Sequence, residues 1–124
     1  MGAGANPVTP DIDSAVIAVP NANKAAYLEM IRNMAAIFKA HGTLSVVDVW
    51  SDTAPEGELT SFRKAVQAKP DESIVVSWMI WPDKATSEAG MAAAMQDPNA
   101  MPAGPPPFDG KRMIFAGLEM LHQA

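Results

Sequence analysis

The segment Ser73–Pro82, with the sequence Ser-Ile-Val-Val-Ser-Trp-Met-Ile-Trp-Pro, constrains the fold more than any other part of the chain. It is rich in β-branched and aromatic residues, is too short for a typical helix and ends at a proline, which together predict a strand. One face of this strand is entirely apolar and the other is mostly suited to burial. A strand buried on both faces is a central strand, so the rest of the chain has to complete a sheet around it and cover that sheet twice.

The composition limits the classes of protein to which the chain can belong. With 124 residues the chain is long enough for one domain with its own core. It contains no cysteine, which excludes disulfides, zinc–thiolate sites and thiol redox chemistry. A formal net charge of -5 without a basic patch argues against a nucleic-acid partner. Neither a secretory signal nor a membrane-spanning segment is apparent, so we expect a cytoplasmic protein with no membrane partner.

The first half of the chain contains two apolar alternations and one helical periodicity. These patterns predict a loose tail over residues 1–11 and a first strand at Ser14–Val19. An amphipathic helix is expected from Asn21 or Asn23 to Gly42, followed by a second strand at Thr43–Trp50. The asparagines are candidate helix caps, and the glycine is the expected helix stop. A single domain is expected to span 12–124.

The second half of the chain places further elements around the central strand. We expect a third strand at Phe62–Ala68, a hairpin turn at Lys69–Glu72 and the central strand at Ser73–Trp81. A second helix is expected from Asp83 or Thr86 to about Gln96, followed by a proline-rich loop at Pro98–Gly110 and a last strand at Lys111–Leu121. Gly117 inside the last strand suggests a bulge or a close backbone approach.

This order predicts an α+β protein: a ferredoxin-like βαββαβ arrangement with an added hairpin strand, in which an antiparallel sheet carries two helices on one face. Two helices can cover only one face of the sheet. The other face is also apolar, and a monomer rarely exposes a contiguous apolar sheet. Packing of two such faces across a two-fold axis would bury both, so the sequence predicts a homodimer.

Three segments carry a family resemblance: Lys39–Trp50, Val76–Pro82 and, most specifically, Pro107–Phe115, with the sequence Pro-Phe-Asp-Gly-Lys-Arg-Met-Ile-Phe. They resemble the YbaA-like family of uncharacterised bacterial proteins, from about Ile12 to Glu119. The resemblance implies a dimeric α+β barrel, the superfamily that includes antibiotic-biosynthesis-type monooxygenases. It implies no established activity and no cofactor. The chain departs from the family pattern at Ile80, where relatives often have an acid, and at Phe115, where a tyrosine is common.

Asp48 and His41 are the candidate catalytic residues. Asp48 lies on a predicted strand face with Leu44, Val46 and Trp50, where desolvation would raise its pKa toward the range of a general base. The alternative is an ion pair with one of two arginines, Arg63 or Arg112. His41 closes the first predicted helix, where capping of the helix end is the alternative to catalysis.

The candidate ligand-binding residues are aromatic and basic. Trp50, Trp78 and Trp81 could line an aromatic pocket or anchor a dimer interface. Arg63, Lys111 and Arg112 could hold a carboxylate or an enolate, or simply be paired or solvated. Phe108 ends the proline-rich loop, which is either a lid or a rigid surface connection. The sequence has no metal-ligand spacing, no glycine-rich phosphate loop and no recognisable nucleophile motif.

Three functions are compatible with these residues. The first is a homodimer that holds a small apolar or aromatic molecule between sheet and helices. The second, suggested by the superfamily resemblance, is a cofactor-independent monooxygenase-like enzyme acting on a phenolic or polyketide-like substrate, with Asp48 or His41 as the base. The third is a purely structural dimer. Fold analogy does not choose among them. An unpaired Asp48 that faces a ligand-sized cavity would favour the enzyme, and an arginine ion pair that fills this space would favour the binding protein.

Overall fold

A computed structural model describes residues 9–100 and 104–124. Its regular elements are, in order, β1 (Asp11–Pro20), α1 (Lys24–Ala40), β2 (Ser45–Ser51), α2 (Phe62–Ala65), β3 (Glu72–Trp81), α3 (Lys84–Gln96) and β4 (Ile114–Glu119), with single 3-10 turns at Asn21–Asn23 and Gly110–Arg112. The strands form one sheet in the order β2-β3-β1-β4, and all neighbours are antiparallel. The α+β class is confirmed, and apart from the short α2 the elements follow the predicted βαββαβ order.

The central strand is β3, as its sequence predicts. It pairs with β1 over ten residues, from Asp11 opposite Trp81 to Pro20 opposite Glu72, and with β2 along its other edge. Side chains on both of its faces are buried: Ile74 on one side of the sheet, and Val75 and Trp81 on the other. The continuous apolar pattern of β3 therefore corresponds to burial on both faces at the start of the strand, whereas Val76, Trp78 and Ile80 are only partly buried.

Helices α1 and α3 lie on the same face of the sheet, which we call the helix face. Their apolar side chains form two core clusters with β1 and β3: Ala15, Ile17, Val19, Tyr27, Met30 and Val75 in one, and Phe38, Met79, Trp81 and Ala94 in the other. Because side chains alternate along a strand, the antiparallel registers also place Val46, Asp48 and Trp50 of β2 on this face. The helix face thus carries both the core and the predicted catalytic aspartate.

The helix ends follow most of the predicted signals. Gly42 has a φ of +103°, a conformation that side chains other than glycine rarely adopt, and it ends α1 as predicted. Asp83 is the N-cap of α3, where its carboxylate accepts the backbone N–H of Thr86 at 2.7 Å. Asn23 occupies the N-cap position of α1, but its side-chain amide instead donates to the carbonyl of Pro107 at 2.9 Å.

The predicted third strand, Phe62–Ala68, is wrong. The segment forms the short helix α2, whose N-cap Ser61 accepts the backbone N–H of Lys64 at 2.9 Å. Its apolar residues fit a helical spacing as well as an alternation, and a segment this short does not distinguish the two patterns. Val66, directly after the helix, is fully buried and packs against Ala18 and Ile74. The segment that was expected to extend the sheet therefore covers one end of its second face.

The rest of that second face, which we call the open face, carries no helix in the described part of the chain. It presents apolar side chains from all four strands: Ile12, Val16, Val47, Val49, Val76, Trp78, Ile80, Ile114 and Leu118. Val49, Ile114 and Leu118 remain 45%, 44% and 45% exposed. The predicted second apolar face is therefore present, and only its α2 end is covered.

The last strand is shorter than predicted, because residues 110–112 form a turn and pairing begins at Ile114. It contains no bulge: Ile114 to Glu119 pair in continuous register with Val16 to Asp11. Gly117 makes no close backbone approach either, since a Cβ placed on it would meet only Asp13 Oδ1, at 3.7 Å. Both suggestions for this glycine are wrong. Residues 1–8 of the predicted tail lie outside the described residues, and its last residue, Asp11, belongs to β1.

Candidate functional site

Asp48 is a half-buried carboxylate on the helix face. It lies directly opposite Ser77 in the β2–β3 register, beneath α1. Burial raises the pKa of Asp48 above its usual value of 3.8, and hydrogen bonding from the hydroxyls of Ser77 and Tyr27 acts in the opposite direction. The carboxylate is thus held between desolvation, which favours its protonated form, and two neutral donors, which favour its anion.

Tyr27 approaches the carboxylate from the first turn of α1. Its side chain is buried, and both this burial and the nearby charge of Asp48 raise the pKa of its hydroxyl far above the usual value. Tyr27 therefore stays protonated and acts as a donor to Asp48. The ring of Phe108 packs edge-on against Tyr27, with centroids 5.8 Å apart and planes at 72°, so the end of the proline-rich loop lies beside the same tyrosine.

Trp50 lies two residues beyond Asp48 on the same strand face. It packs against the core cluster that contains Tyr27, as does Phe108. The ammonium of Lys24 sits 4.8 Å from the centroid of the Trp50 ring, within the range of a cation–π interaction. We call the set Tyr27, Asp48, Trp50, Ser77 and Phe108 the Asp48 site.

The structure does not bring His41 to this site. His41 is the C-cap of α1, exposed, with its backbone N–H bonded to the carbonyls of Phe38 and Lys39. It lies fourteen residues after Tyr27, which corresponds to about 21 Å along the helix axis. Asp48 and His41 therefore do not form one catalytic pair, and His41 occupies the capping position that was the alternative.

The three tryptophans do not share a pocket. Trp50 belongs to the Asp48 site, whereas Trp81 is fully buried in the core between α1 and α3, edge-on to Phe38. Trp78 is on the open face, because it lies opposite Val47 in the register. An aromatic pocket could therefore draw on Trp50, and the position of Trp78 is that of a candidate interface anchor.

Neither predicted arginine reaches Asp48. Arg63 donates to Glu56 at 2.8 Å and to the backbone carbonyls of Lys69 and Glu72. Arg112 donates to both oxygens of Glu72, each at 2.7 Å. Within residues 9–100 and 104–124, Asp48 forms no salt bridge, so the ion pair that was the alternative to a free carboxylate is not formed.

A second buried carboxylate, Asp13, is not among the site residues predicted from the sequence. It is 5% exposed, and its Oδ2 accepts hydrogen bonds from the indole N–H of Trp81 at 3.0 Å and from the hydroxyl of Ser87 at 2.9 Å. Asp13 was overlooked because the first strand was expected to begin at Ser14. The alternation of Asp11, Ile12 and Asp13 was the available signal, since it continues the strand pattern backwards.

Asp13 forms part of a cleft of about 560 Å³ between β1, α3 and β4. We call this space the Asp13 cleft; its polar lining consists of Thr9, Asp11, Asp13, Lys84, Ser87, Glu88 and Glu119, and its apolar lining includes Pro10 and Leu118. The cleft takes its strand residues from β1 and β4, whereas the Asp48 site takes its strand residues from β2 and β3, so the two lie at different places on the sheet.

Nowhere in the described ranges do three or more His, Asp or Glu side chains come together in a way that could hold a metal ion. Among residues 9–100 and 104–124, no helix combines the length and the apolar composition that crossing a bilayer requires.

Comparison with known proteins finds relatives whose names state no activity. The family described as "Protein of unknown function (DUF1428)" matches residues 11–110. The "Uncharacterized protein YbaA" of Escherichia coli (strain K12) is 41% identical over 111 residues, which is 89% of this chain and 95% of that protein, and the same figures hold for the protein of that name from Shigella flexneri. A solved structure, the NE2512 protein of unknown function from Nitrosomonas europaea, aligns over 96% of both chains with 14% identity and a TM-score of 0.49.

Proposed function

We propose that this chain, which belongs to the family of proteins of unknown function DUF1428, is a homodimer that binds a small hydroxylated aromatic molecule at the Asp48 site. The observation that carries the proposal is the half-buried Asp48 carboxylate, which has two neutral donors and no cationic partner among the described residues. A carboxylate that is partly desolvated without a counterion is unfavourable for stability. Such a group is typical of a functional site.

The side chains around Asp48 define the class of ligand. Trp50 and Phe108 supply aromatic surface, which favours stacked or edge-on aromatic rings. Asp48 supplies an acceptor for a hydroxyl group, and hydrogen bonds to a charged acceptor are about twice as strong as neutral ones. A phenol satisfies both requirements in one molecule. The negative carboxylate would disfavour ligands that carry an acidic group of their own.

The homodimer is proposed from the open face. Nine apolar side chains from four strands lie on it, and three of them are nearly half exposed. A face of this kind is unfavourable in water, and an isologous dimer would let two copies bury it against one another. Trp78 lies on β3, one of the two inner strands, where a tryptophan would act as an anchor. The two sheets would then form the dimeric α+β barrel that the family resemblance implies.

The dimer is tested by sedimentation velocity on Trp78→Glu, with Leu28→Glu as the matched control. Leu28 is 42% exposed on α1, on the opposite side of the sheet from the open face. We expect a dimer for the parent and for the control, and a monomer for Trp78→Glu with unchanged secondary structure by circular dichroism. A monomeric parent protein would overturn the proposal.

Ligand binding is tested with 2-naphthol and naphthalene, which differ by one hydroxyl, using quenching of tryptophan fluorescence. We expect 2-naphthol to bind at least about tenfold more tightly than naphthalene, because it donates to a charged acceptor. Asp48→Asn should remove most of this preference, whereas Glu29→Gln, an exposed change on α1, should keep it. Equal binding of the two compounds by the parent would contradict the proposal. Native mass spectrometry of protein from its own host then identifies any retained molecule.

A second function, a cofactor-independent monooxygenase-like reaction, is supported by the raised pKa of Asp48. A base in this position would take a proton from a CH₂ group activated by flanking phenolic rings. The carbanion would then reduce dioxygen, so that the CH₂ becomes a carbonyl and the second oxygen atom leaves as water. Oxygen uptake with an anthrone as substrate tests this, with Asp48→Asn expected to remove it. Binding of 2-naphthol without oxygen uptake would leave binding as the function.

A further inference from the structure

The Asp13 cleft contains a buried carboxylate that the Asp48 site does not use. Both hydrogen bonds to Asp13, from Trp81 and Ser87, end on Oδ2. Within the part of the chain that the structure describes, no hydrogen-bond donor reaches Oδ1. Among the described residues no side-chain oxygen is both fully buried and unpaired, so Oδ1 keeps some exposure to solvent and can receive a donor from outside the chain.

Gly117 is the reason that Oδ1 faces open space. It lies directly opposite Asp13 in the β1–β4 register, and a Cβ built on it would meet only Oδ1, at an ordinary contact distance of 3.7 Å. Its φ is not in the left-handed region, so the backbone does not require a glycine here. Glycine within a strand is otherwise unfavourable, since it packs no side chain. Its presence at this position keeps the cleft open in front of the carboxylate.

The charge of the cleft favours a cation. Asp11, Glu88 and Glu119 line it together with Asp13, against one ammonium, that of Lys84. Lys84 does not neutralise the buried carboxylate, because its side chain is 80% exposed and its ion-pair partner is Glu88, at 4.0 Å. Several carboxylates that line one partly enclosed space attract cations and raise their local concentration.

The arrangement of the oxygens favours an ammonium over a metal ion or a guanidinium. The carboxylates do not converge in a group of three that could hold a metal, within residues 9–100 and 104–124. A guanidinium prefers both oxygens of a carboxylate at once, and Oδ2 of Asp13 already accepts two hydrogen bonds. An ammonium has three separate donors, so it can use Oδ1 alone and direct its other donors to the rim.

We infer that the Asp13 cleft binds the ammonium group of a small primary amine on Oδ1 of Asp13, with the amine's apolar chain against Pro10, which lines the same space. The inference is independent of the Asp48 site, since it involves different residues and a cationic amine in place of a neutral phenol. It assigns a second binding function to the helix face of the sheet.

The test is a titration of ¹⁵N-labelled protein with n-butylammonium chloride at constant ionic strength. Butanol and butyrate, which keep the chain but lose or reverse the charge, are the comparison ligands. We expect saturable shifts from butylammonium in the amides of Ser87 and Gly117 and in the indole N–H of Trp81, and none from butanol or butyrate. Equal shifts from butanol, or no saturable shift from butylammonium, would overturn the inference.

Two matched variants locate the site. Gly117→Leu fills the space in front of Asp13, and Gly110→Leu makes the same change at an exposed glycine with no atom within 4 Å of its Cβ position. We expect affinity for butylammonium to fall at least about tenfold in Gly117→Leu and to stay unchanged in Gly110→Leu. If Gly117→Leu binds butylammonium as tightly as the parent, the site is elsewhere and the inference fails. This variant is preferred to Asp13→Asn because it keeps the hydrogen bonds to Trp81 and Ser87.

Discussion

Arg112 donates to both carboxylate oxygens of Glu72, from Nη1 to Oε1 and from Nη2 to Oε2, each at 2.7 Å. The pair joins the turn before β4 to the first residue of β3, forty positions earlier in the chain. Only 3% of the Glu72 side chain and 15% of the Arg112 side chain are exposed. Both arginines that were candidates for ligand binding are thus paired within the protein: Arg112 binds Glu72, and Arg63 binds Glu56 and nearby backbone carbonyls.

Glu72→Gln should destabilise the protein by about 2 kcal/mol, because it removes the charge that accepts two hydrogen bonds from Arg112. Glu56→Gln is the matched control: it breaks the ion pair of Arg63, but Glu56 is 71% exposed, so the cost should be below about 0.5 kcal/mol. Urea unfolding measures both. Equal values for the two variants would show that burial does not strengthen the Glu72 pair.

The same ion pair predicts a loss of stability in acid. Hydrogen bonding from Arg112, followed by that from the backbone of Lys69, lowers the pKa of Glu72 in the folded protein below its ordinary value of 4.5. Between the two values the unfolded chain binds more protons, so the stabilisation is fully present above pH 4.5 and is lost as the pH falls through the lower, folded value. Unfolding free energies measured over this range should fall less steeply for Glu72→Gln than for the parent. Parallel curves would contradict the assignment.

Gly90→Ala should destabilise the protein although it improves helix propensity. A Cβ on Gly90 of α3 would lie 2.4 Å from the Cη2 and Cζ3 atoms of Trp81, which is fully buried. Overpacking of this kind costs about 2 kcal/mol, more than the gain of about 1 kcal/mol expected from replacing glycine in a helix. Thermal unfolding tests this, with Gly110→Ala as a control expected to change little. A more stable Gly90→Ala protein would mean that the Trp81 ring is not fixed.

Asp48→Asn should stabilise the protein at neutral pH. Burial raises the folded pKa of Asp48, so the folded state binds more protons than the unfolded chain and the ionised carboxylate opposes folding above the folded value. The asparagine variant lacks this cost. Its advantage should shrink as the pH falls through the folded pKa toward 3.8, the ordinary value. Urea unfolding at several pH values gives the difference. A destabilised Asp48→Asn at neutral pH would show that the hydrogen bonds of the anion outweigh its desolvation.

Local sequence patterns predicted most of the regular elements. The alternations of β1, β2 and β3 and the helical spacing of α1 are properties of neighbouring residues, and their chemistry alone indicates which face is apolar. The failure at Phe62–Ala68 has a physical cause. A segment of this length has too few residues to separate the two periods, and its conformation is decided by Val66 packing on Ala18 and Ile74.

The candidate site was predictable only in part. The position of Asp48 among apolar strand residues predicted its burial and the rise of its pKa. Its actual neighbours were not predicted, because Tyr27 looked like an ordinary core residue of α1 and Ser77 a minor polar interruption of β3. The sequence offered two arginines as partners for Asp48 without a way to choose, and the fold uses both elsewhere.

The sequence by itself therefore determined the central strand, the amphipathic α1 and the presence of two apolar sheet faces, since each follows from periodicity over a few residues. Only the tertiary structure decided which polar groups meet. The hydroxyl of Ser87 reaches Asp13 across 74 positions of the chain, and the indole of Trp81 reaches it across 68. Such contacts depend on the register of β1 against β3 and on the docking of α3, which no local pattern specifies. The same packing left Oδ1 of Asp13 facing the cleft and Asp48 without a counterion among the described residues.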